Sequence, residues 1–175
     1  MNRLTNQRVY LVGAMDRVVD RGKEWRQTIT PFLQNLGIIV FNPLTKPSEI
    51  GKEDDDSFLQ KIEFKKTKNY DQLSNMMKMI RNVDLRLVDI SDFIIANLDL
   101  DTHPCGTYEE IFLANRQKKP IIVHVQQGKE HCPDWLFGCL PHQLIFSDWN
   151  EIKNYLNYVN SSNSIDSLNR WYFFN

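Results

Sequence analysis

The apolar run Phe93-Ile-Ile-Ala-Asn-Leu98 constrains the fold of this chain more than any other segment. The run is typical of a buried strand, and a polar turn over 99–104 follows it. A helix-like segment begins after the turn and ends near Lys119-Pro120. Because open α/β sheets bind ligands at the carboxyl ends of their strands, this turn is the first candidate site.

The rest of the chain continues this alternation of strand and helix. Residues 8–15 predict a strand that runs into a glycine turn, and further strands are predicted at 38–43, 120–125 and 142–146. Helices are predicted at 24–36, 69–84 and 149–158, with Pro31 favouring a kink or a late start in the first. The order predicts an α/β fold, a doubly wound flavodoxin-like or Rossmann-like sandwich with a mostly parallel five-stranded sheet.

Two segments depart from the alternation. Residues 44–68 are polar, and we interpret them as a lid or subunit-contact segment with a short helix near 58–64. The acidic run Glu53-Asp-Asp-Asp56 can bind a cation, but a solvated face is the favoured interpretation. The aromatic tail at 170–175 is expected to dock on its own or a neighbouring subunit, because exposed apolar surface costs ~25 cal/mol per Å². We therefore divide the chain into one domain, 1–160, and a tail, 161–175.

Composition excludes several classes of partner. A formal charge of -1 with scattered basic residues gives no reason to expect nucleic acid. No apolar run approaches the ~20 residues of a membrane span, and the first eight residues lack the apolar core of a signal peptide. A cytoplasmic protein without a membrane partner is expected.

Neither a metal nor an organic cofactor is predicted. Only Gly13 follows the first strand, so there is no G-x-G-x-x-G motif, and no Walker A motif is present. Three cysteines without a C-x-x-C spacing suggest neither disulfides nor a zinc ribbon. His131, Cys132, Cys139 and His142 have suitable side chains for a metal, but their spacing fits no standard zinc site.

Glu110 has two interpretations. Thr107 can be the N-cap of the helix, with Glu110 three residues later as its capping-box partner. Alternatively, Glu110 is a carboxylate in the first helical turn that stays ionised at neutral pH and acts as a nucleophile in the ligand crevice. The spacing alone favours the cap.

Three acidic residues precede the strand at 93–98, at positions 84, 89 and 92. Asp92 follows Ser91 at the strand entrance and is expected to have a structural role in a turn or cap. Asp84 has no such local explanation and is a candidate site residue.

Several segments together resemble the nucleoside 2-deoxyribosyltransferase family. They are Tyr10-Leu-Val-Gly-Ala-Met15, Val40-Phe-Asn-Pro43, Asp84 with Asp92-Phe-Ile-Ile-Ala, and Gly106-Thr-Tyr-Glu-Glu-Ile-Phe-Leu-Ala114 followed by Lys119-Pro-Ile. The resemblance covers about residues 8–125, and it favours the nucleophile interpretation of Glu110.

The resemblance also implies roles for single residues. It makes Glu110 the nucleophile, Asp84 a residue that assists proton transfer and holds the substrate, and Tyr10 the residue that orients the glutamate. Substrate contacts are implied for the other residues of the motifs: Gly13, Met15, Gly106 and Thr107. Where the family commonly has an aspartate, this chain has Pro104, and the candidates to replace it are Asp99, Asp101 and His103.

The chemistry suits these residue types. Cleavage of an N-glycosidic bond passes through an oxocarbenium-like state that a carboxylate can stabilise or trap as an ester, while a second carboxyl group protonates the leaving base. The leading hypothesis is transfer of 2-deoxyribose between bases of small-molecule nucleosides.

Two alternatives stay open, and an oligomer is expected. One alternative is hydrolysis of a nucleoside 5′-monophosphate, with Arg17, Arg21 or the helix start near Gly22 binding the phosphate, although the family's Ser-rich phosphate loop is absent. The other is a nucleotide-binding module without turnover. The family tends to complete its pocket with a neighbouring subunit, so we expect a homo-oligomer, with contacts in the tail and at Trp135-Leu-Phe-Gly138.

Overall fold

A five-stranded, all-parallel sheet forms the centre of the computed structural model, which describes residues 2–16, 18–46 and 51–173. The strands lie in the order β2-β1-β3-β4-β5. Their bounds are β1 Arg8–Gly13, β2 Ile39–Phe41, β3 Phe93–Leu98, β4 Ile121–Val125 and β5 Ile145–Phe146. The predicted α/β, doubly wound fold is confirmed.

Helices cover both faces of the sheet. Their bounds are α1 Lys23–Asn35, α2 Asp55–Lys66, α3 Tyr70–Ile90, α4 Cys105–Arg116, α5 Asp134–Cys139 and α6 Trp149–Ser161. Among the described residues, no helix is both long and apolar enough to span a lipid bilayer.

Side chains along β1 alternate between two apolar cores. Tyr10 and Val12 face the core that contains residues of α3 and α4, whereas Val9 and Leu11 face the core formed with α1 and α6. The strands are buried on both faces because a parallel sheet is covered by helices on each side. This alternation directs Tyr10 toward α4, where Glu110 lies.

The observed helices differ from the predicted ones in several places. Helix α1 begins at Lys23 with Pro31 in its interior, so the predicted late start is wrong. Helix α3 continues six residues beyond Asp84, to Ile90. Helix α5 lies between the predicted strands at 120–125 and 142–146, where no helix was predicted. Its six residues are too few to give a periodic pattern.

The described part of the tail packs against the chain's own core. The Trp171 indole N–H donates to the Tyr155 hydroxyl group at 2.7 Å, and its ring lies 5.3 Å from that of Phe93. Arg170 donates to the Asn115 side chain at 2.6 Å. Phe93 begins its strand, so the tail packs at the amino end of the sheet, opposite the end where ligands are expected.

Candidate active site

A cavity of about 470 Å³ opens at the carboxyl end of β1, beside α3 and α4. The wall contains the three residues with implied catalytic roles: Tyr10, Asp84 and Glu110. It also contains five of the predicted substrate-contact residues: Gly13, Met15, His103, Gly106 and Thr107. The fold therefore brings together residues that are up to 100 positions apart in the chain.

Glu110 is buried on the second turn of α4. The helix begins at Cys105, with Pro104 as its N-cap residue and no side chain capping it. Thr107 lies inside the helix, so the predicted capping box of Thr107 and Glu110 is wrong. The Glu110 carboxyl group instead accepts a hydrogen bond from the Tyr10 hydroxyl group, with 2.8 Å between Oη and Oε1.

The protonation state of Glu110 also differs from the prediction. Burial, as the main cause, and the negative charge of Asp84 together raise the pKa of Glu110 to about 8, against opposing effects of Tyr10 and Arg26. A carboxylate gains from the helix dipole only within the first turn, and no acidic residue lies there in α4. The prediction that Glu110 is ionised at neutral pH is therefore wrong for the substrate-free protein.

Asp84 extends from the interior of α3 toward the same cavity. Burial is the main cause that raises its pKa, to about 6, and the charge of Glu53 acts in the same direction, whereas Lys46 lowers it. Lys46 Nζ lies 2.7 Å from Oδ1 of Asp84, which is an ion-pair distance. The same oxygen receives no well-oriented hydrogen bond from any described residue, so we describe the contact as an ion pair only.

Lys46 and Glu53 are the residues that sequence reasoning missed. Lys46 Nζ donates to Oε2 of Glu53 at 2.7 Å and to the carbonyl oxygen of Gly51 at 2.9 Å. The Glu53 side chain is only 8% exposed and lines the cavity, so the interpretation of the acidic run as a solvated face is wrong at this position. In the sequence, no pattern distinguishes Glu53 from its acidic neighbours Asp54, Asp55 and Asp56.

Asp99 and Asp101 lie outside this cavity. Asp99 accepts hydrogen bonds from the backbone N–H of Asp101 and from the Gln127 side chain, and it lines a second cavity instead. Asp101 is exposed and also accepts from Gln127. Both side chains stabilise the turn after β3, as aspartates in turns commonly do. Of the three candidates to replace the family aspartate, only His103 lines the cavity, as does Pro104 itself.

The described phosphate-binding candidates already have acidic or carbonyl partners. Arg21 donates to Asp55 at 2.8 Å and to the carbonyl oxygen of Glu53 at 2.7 Å. The backbone N–H of Gly22 donates to Asp20 at 2.9 Å. Arg17 lies outside the described residues.

Asp92 has a structural role, as predicted, but through Arg8 and not in a turn or cap. It accepts the backbone N–H of Arg8 and pairs with the Arg8 guanidinium group at 2.9 Å.

No group of three or more His, Cys, Asp or Glu side chains suited to a metal occurs within 2–16, 18–46 and 51–173.

Two solved structures share the fold of this chain. One is 2-deoxyribosyltransferase from the psychrotolerant bacterium Bacillus psychrosaccharolyticus, with a TM-score of 0.56, 18% identity, and coverage of 85% of this chain and 91% of that chain. The other is CMP N-glycosidase BcmB from Clostridium botulinum, with a TM-score of 0.49, 20% identity, and coverage of 87% and 99%. No family model and no curated protein matches the sequence. At 18% identity the similarity to the 2-deoxyribosyltransferase is one of fold, and it is the fold that the motif resemblance implied.

Proposed function

We propose that this protein cleaves the N-glycosidic bond of a 2′-deoxynucleoside and transfers the 2-deoxyribose to a second base. The observation that carries the proposal is the buried Glu110 carboxyl group, which accepts the Tyr10 hydroxyl group at 2.8 Å in a cavity that also contains Asp84. The 2-deoxyribosyltransferase with the same fold supports this choice of reaction.

One proton shared between two carboxyl groups accounts for both chemical requirements of the reaction. At pH 7 the Glu110 carboxyl group retains its proton and Asp84 is ionised, since their pKa values are about 8 and about 6. Transfer of that proton to Asp84 is uphill in the substrate-free protein, because the pKa of Glu110 is the higher of the two. It produces a carboxylate nucleophile at Glu110 and a carboxylic acid at Asp84 in a single step.

The covalent step then balances without a cofactor. An oxygen of Glu110 forms an ester bond to the anomeric carbon while the bond from that carbon to the base nitrogen breaks. The bonding electrons leave with the base, and Asp84 supplies the proton that the base needs. A second base then attacks the anomeric carbon, its N–H proton passes to Asp84, and the ester bond breaks to regenerate the Glu110 carboxylate.

The ester is tested by intact-protein mass spectrometry after incubation with a mixture of 2′-deoxynucleosides. The wild type is expected to gain one anhydrodeoxyribose, and Glu110→Gln is expected to gain nothing. Glu109→Gln is the matched control, because Glu109 is the neighbouring carboxylate in the same cavity wall but is partly exposed and paired with Arg81. An adduct on Glu110→Gln, or its loss in Glu109→Gln, would contradict the assignment of the nucleophile.

The acceptor is tested by product analysis with a free base present. The proposal predicts that the added base appears in a new nucleoside. Release of base without exchange, from nucleosides or from 5′-monophosphates, would instead identify water as the acceptor. Thermal stabilisation by nucleosides with neither adduct nor product would identify a binding module and overturn the proposal.

A further inference from the structure

A buried lysine connects the loop before α2 to the cavity wall. The lysine is Lys46, and its partners are Glu53, Asp84 and the carbonyl group of Gly51. The side chains of Lys46, Glu53 and Asp84 are 1%, 8% and 16% exposed. Three such poorly exposed ionic groups are rare unless they pair, because removing a charge from water is costly.

The ammonium group of Lys46 is surrounded by oxygen atoms of the protein. A lysine ammonium group carries three N–H donors. Its nitrogen lies within 2.9 Å of three oxygens, which belong to Gly51, Glu53 and Asp84. Lys46 is also absent from the cavity lining, whereas Glu53 and Asp84 are part of it. Any effect of Lys46 on the reaction therefore acts through the two carboxyl groups.

The backbone at Gly51 shows how closely the loop approaches α3. Gly51 has a φ of +70°, and a Cβ atom there would lie 2.9 Å from Cγ2 of Val83 and 3.0 Å from the carbonyl oxygen of Met79. Val83 immediately precedes Asp84 on α3. A glycine at this position allows the loop to bring Glu53 and Asp84 to one ammonium group.

The other nearby cations have different partners. Arg26 donates to the carbonyl oxygens of Leu11, Gly13 and Gly22. Arg81 pairs with Glu109. Among the described residues, Lys46 is thus the one cation in ion-pair contact with Asp84. Without it, Asp84 and Glu53 would repel each other in a poorly hydrated wall, and Glu110 would add a third acidic group.

We propose that Lys46 is a positioning residue that holds Glu53 and Asp84 in the cavity wall and keeps Asp84 ionised in the substrate-free protein. The proposal rests on the function proposed above, because ionised Asp84 is the group that takes the proton from Glu110. The groups that face Asp84 are Lys46 and Glu53 from the loop, Tyr10 from β1 and Glu110 from α4.

The first test measures the pKa of Asp84 without substrate. Carboxyl-labelled aspartate is followed by NMR over a pH titration, and the Asp84 signal is the one missing in Asp84→Asn. Lys46→Met is expected to raise the pKa of Asp84 by about one unit or more, and Glu53→Gln to lower it by about one unit. Opposite shifts are the expected electrostatic result, and equal pKa values in folded Lys46→Met and wild type would overturn the proposal.

A double variant keeps the test decisive if Lys46→Met does not fold. Lys46→Met/Glu53→Gln lacks the repulsion between two unpaired carboxylates. The pKa of Asp84 in this double variant is expected to exceed that in Glu53→Gln alone, and an equal or lower value would overturn the proposal. Lys66→Met, which removes an exposed lysine from α2, is the matched control and should leave the pKa of Asp84 unchanged.

The second test compares pH–rate profiles for release of the base. In Lys46→Met the acidic limb is expected to move to higher pH by the same amount as the pKa of Asp84. For a shift of about one unit, kcat is expected to be about twofold lower at pH 7 and about tenfold lower at pH 5. A uniform loss at every pH would indicate a purely structural role and overturn the proposal. If the wild type releases no base, the proposed function fails, while the NMR titration still decides whether Lys46 sets the charge of Asp84.

Discussion

The buried Glu110 carboxyl group should make the stability of this protein fall as the pH rises. Its pKa is about 8 in the folded protein, against a usual value near 4.3 in an unfolded chain. Between these two values the folded state holds a proton that the unfolded state has lost, so unfolding becomes easier with increasing pH. From pH 6.5 to pH 9 the loss is about 2 kcal/mol, since each pKa unit corresponds to about 1.4 kcal/mol and titration nears completion at pH 9.

Glu110→Gln isolates this contribution, because glutamine has the same shape and does not titrate. Urea unfolding of both proteins at pH 6.5 and pH 9 gives the four free energies of unfolding that are needed. The wild type is expected to lose about 2 kcal/mol more than the variant over this interval. Asp84 contributes little to the difference, because its pKa is about 6 and it is mostly ionised at pH 6.5. Equal losses in the two proteins would refute the raised pKa of Glu110.

Three further substitutions test the site and the fold. Tyr10→Phe removes the hydroxyl group that donates to the buried Glu110 carboxyl group. The limb of the pH–rate profile that reports the pKa of Glu110 should therefore move about one pH unit higher. An unchanged limb would contradict the orienting role of Tyr10. Gly51→Ala should lower the free energy of unfolding by about 2–4 kcal/mol, because the residue has a positive φ and little space for a Cβ atom. Gly138→Ala should not lower it, because Gly138 lies in a helix with open space around it. Equal stability of these two variants would refute the close approach. Trp171→Ala should cost about 3–5 kcal/mol in chemical denaturation, and Tyr172→Ala, at 61% exposure, about 0.5 kcal/mol or less; similar losses would contradict docking of the tail.

The sheet could be predicted because its strands are short apolar runs between polar turns. Phe93–Leu98 and Ile121–Val125 are buried at every position, and such runs are visible in the sequence without knowledge of their partners. The segment 44–68 was less predictable. Its contacts with the rest of the chain include ion pairs of two buried lysines, Lys46 and Lys61. Lys61 pairs with the half-exposed Asp16 at 2.6 Å. The sequence does not distinguish a buried lysine that pairs with a distant carboxylate from a lysine that is exposed to water.

The identities of the main site residues could be predicted further than their chemistry. Tyr10, Asp84 and Glu110 were selected from motif resemblance, and they line one cavity because β1, α3 and α4 meet at the carboxyl end of the sheet. Glu53 was not selected, since its distance from Asp84 depends on the course of an irregular loop. This acidic residue of the cavity wall therefore comes from a segment that no periodic pattern describes.

The charge of Glu110 shows why a residue that lies in the cavity can be given a wrong protonation state. The spacing from Thr107 suggested a carboxylate in the first helical turn, where the dipole favours ionisation by about 0.3–1 kcal/mol. The helix begins at Cys105 and places Glu110 beyond that turn, in a buried position where the cost of charge is larger. A nucleophile that is neutral at rest needs a base, and Asp84, with its lower pKa and its lysine partner, is the group in the cavity whose charge suits that role. Because Glu110 is neutral at rest and not ionised as predicted, the proposed reaction requires Asp84 as its base.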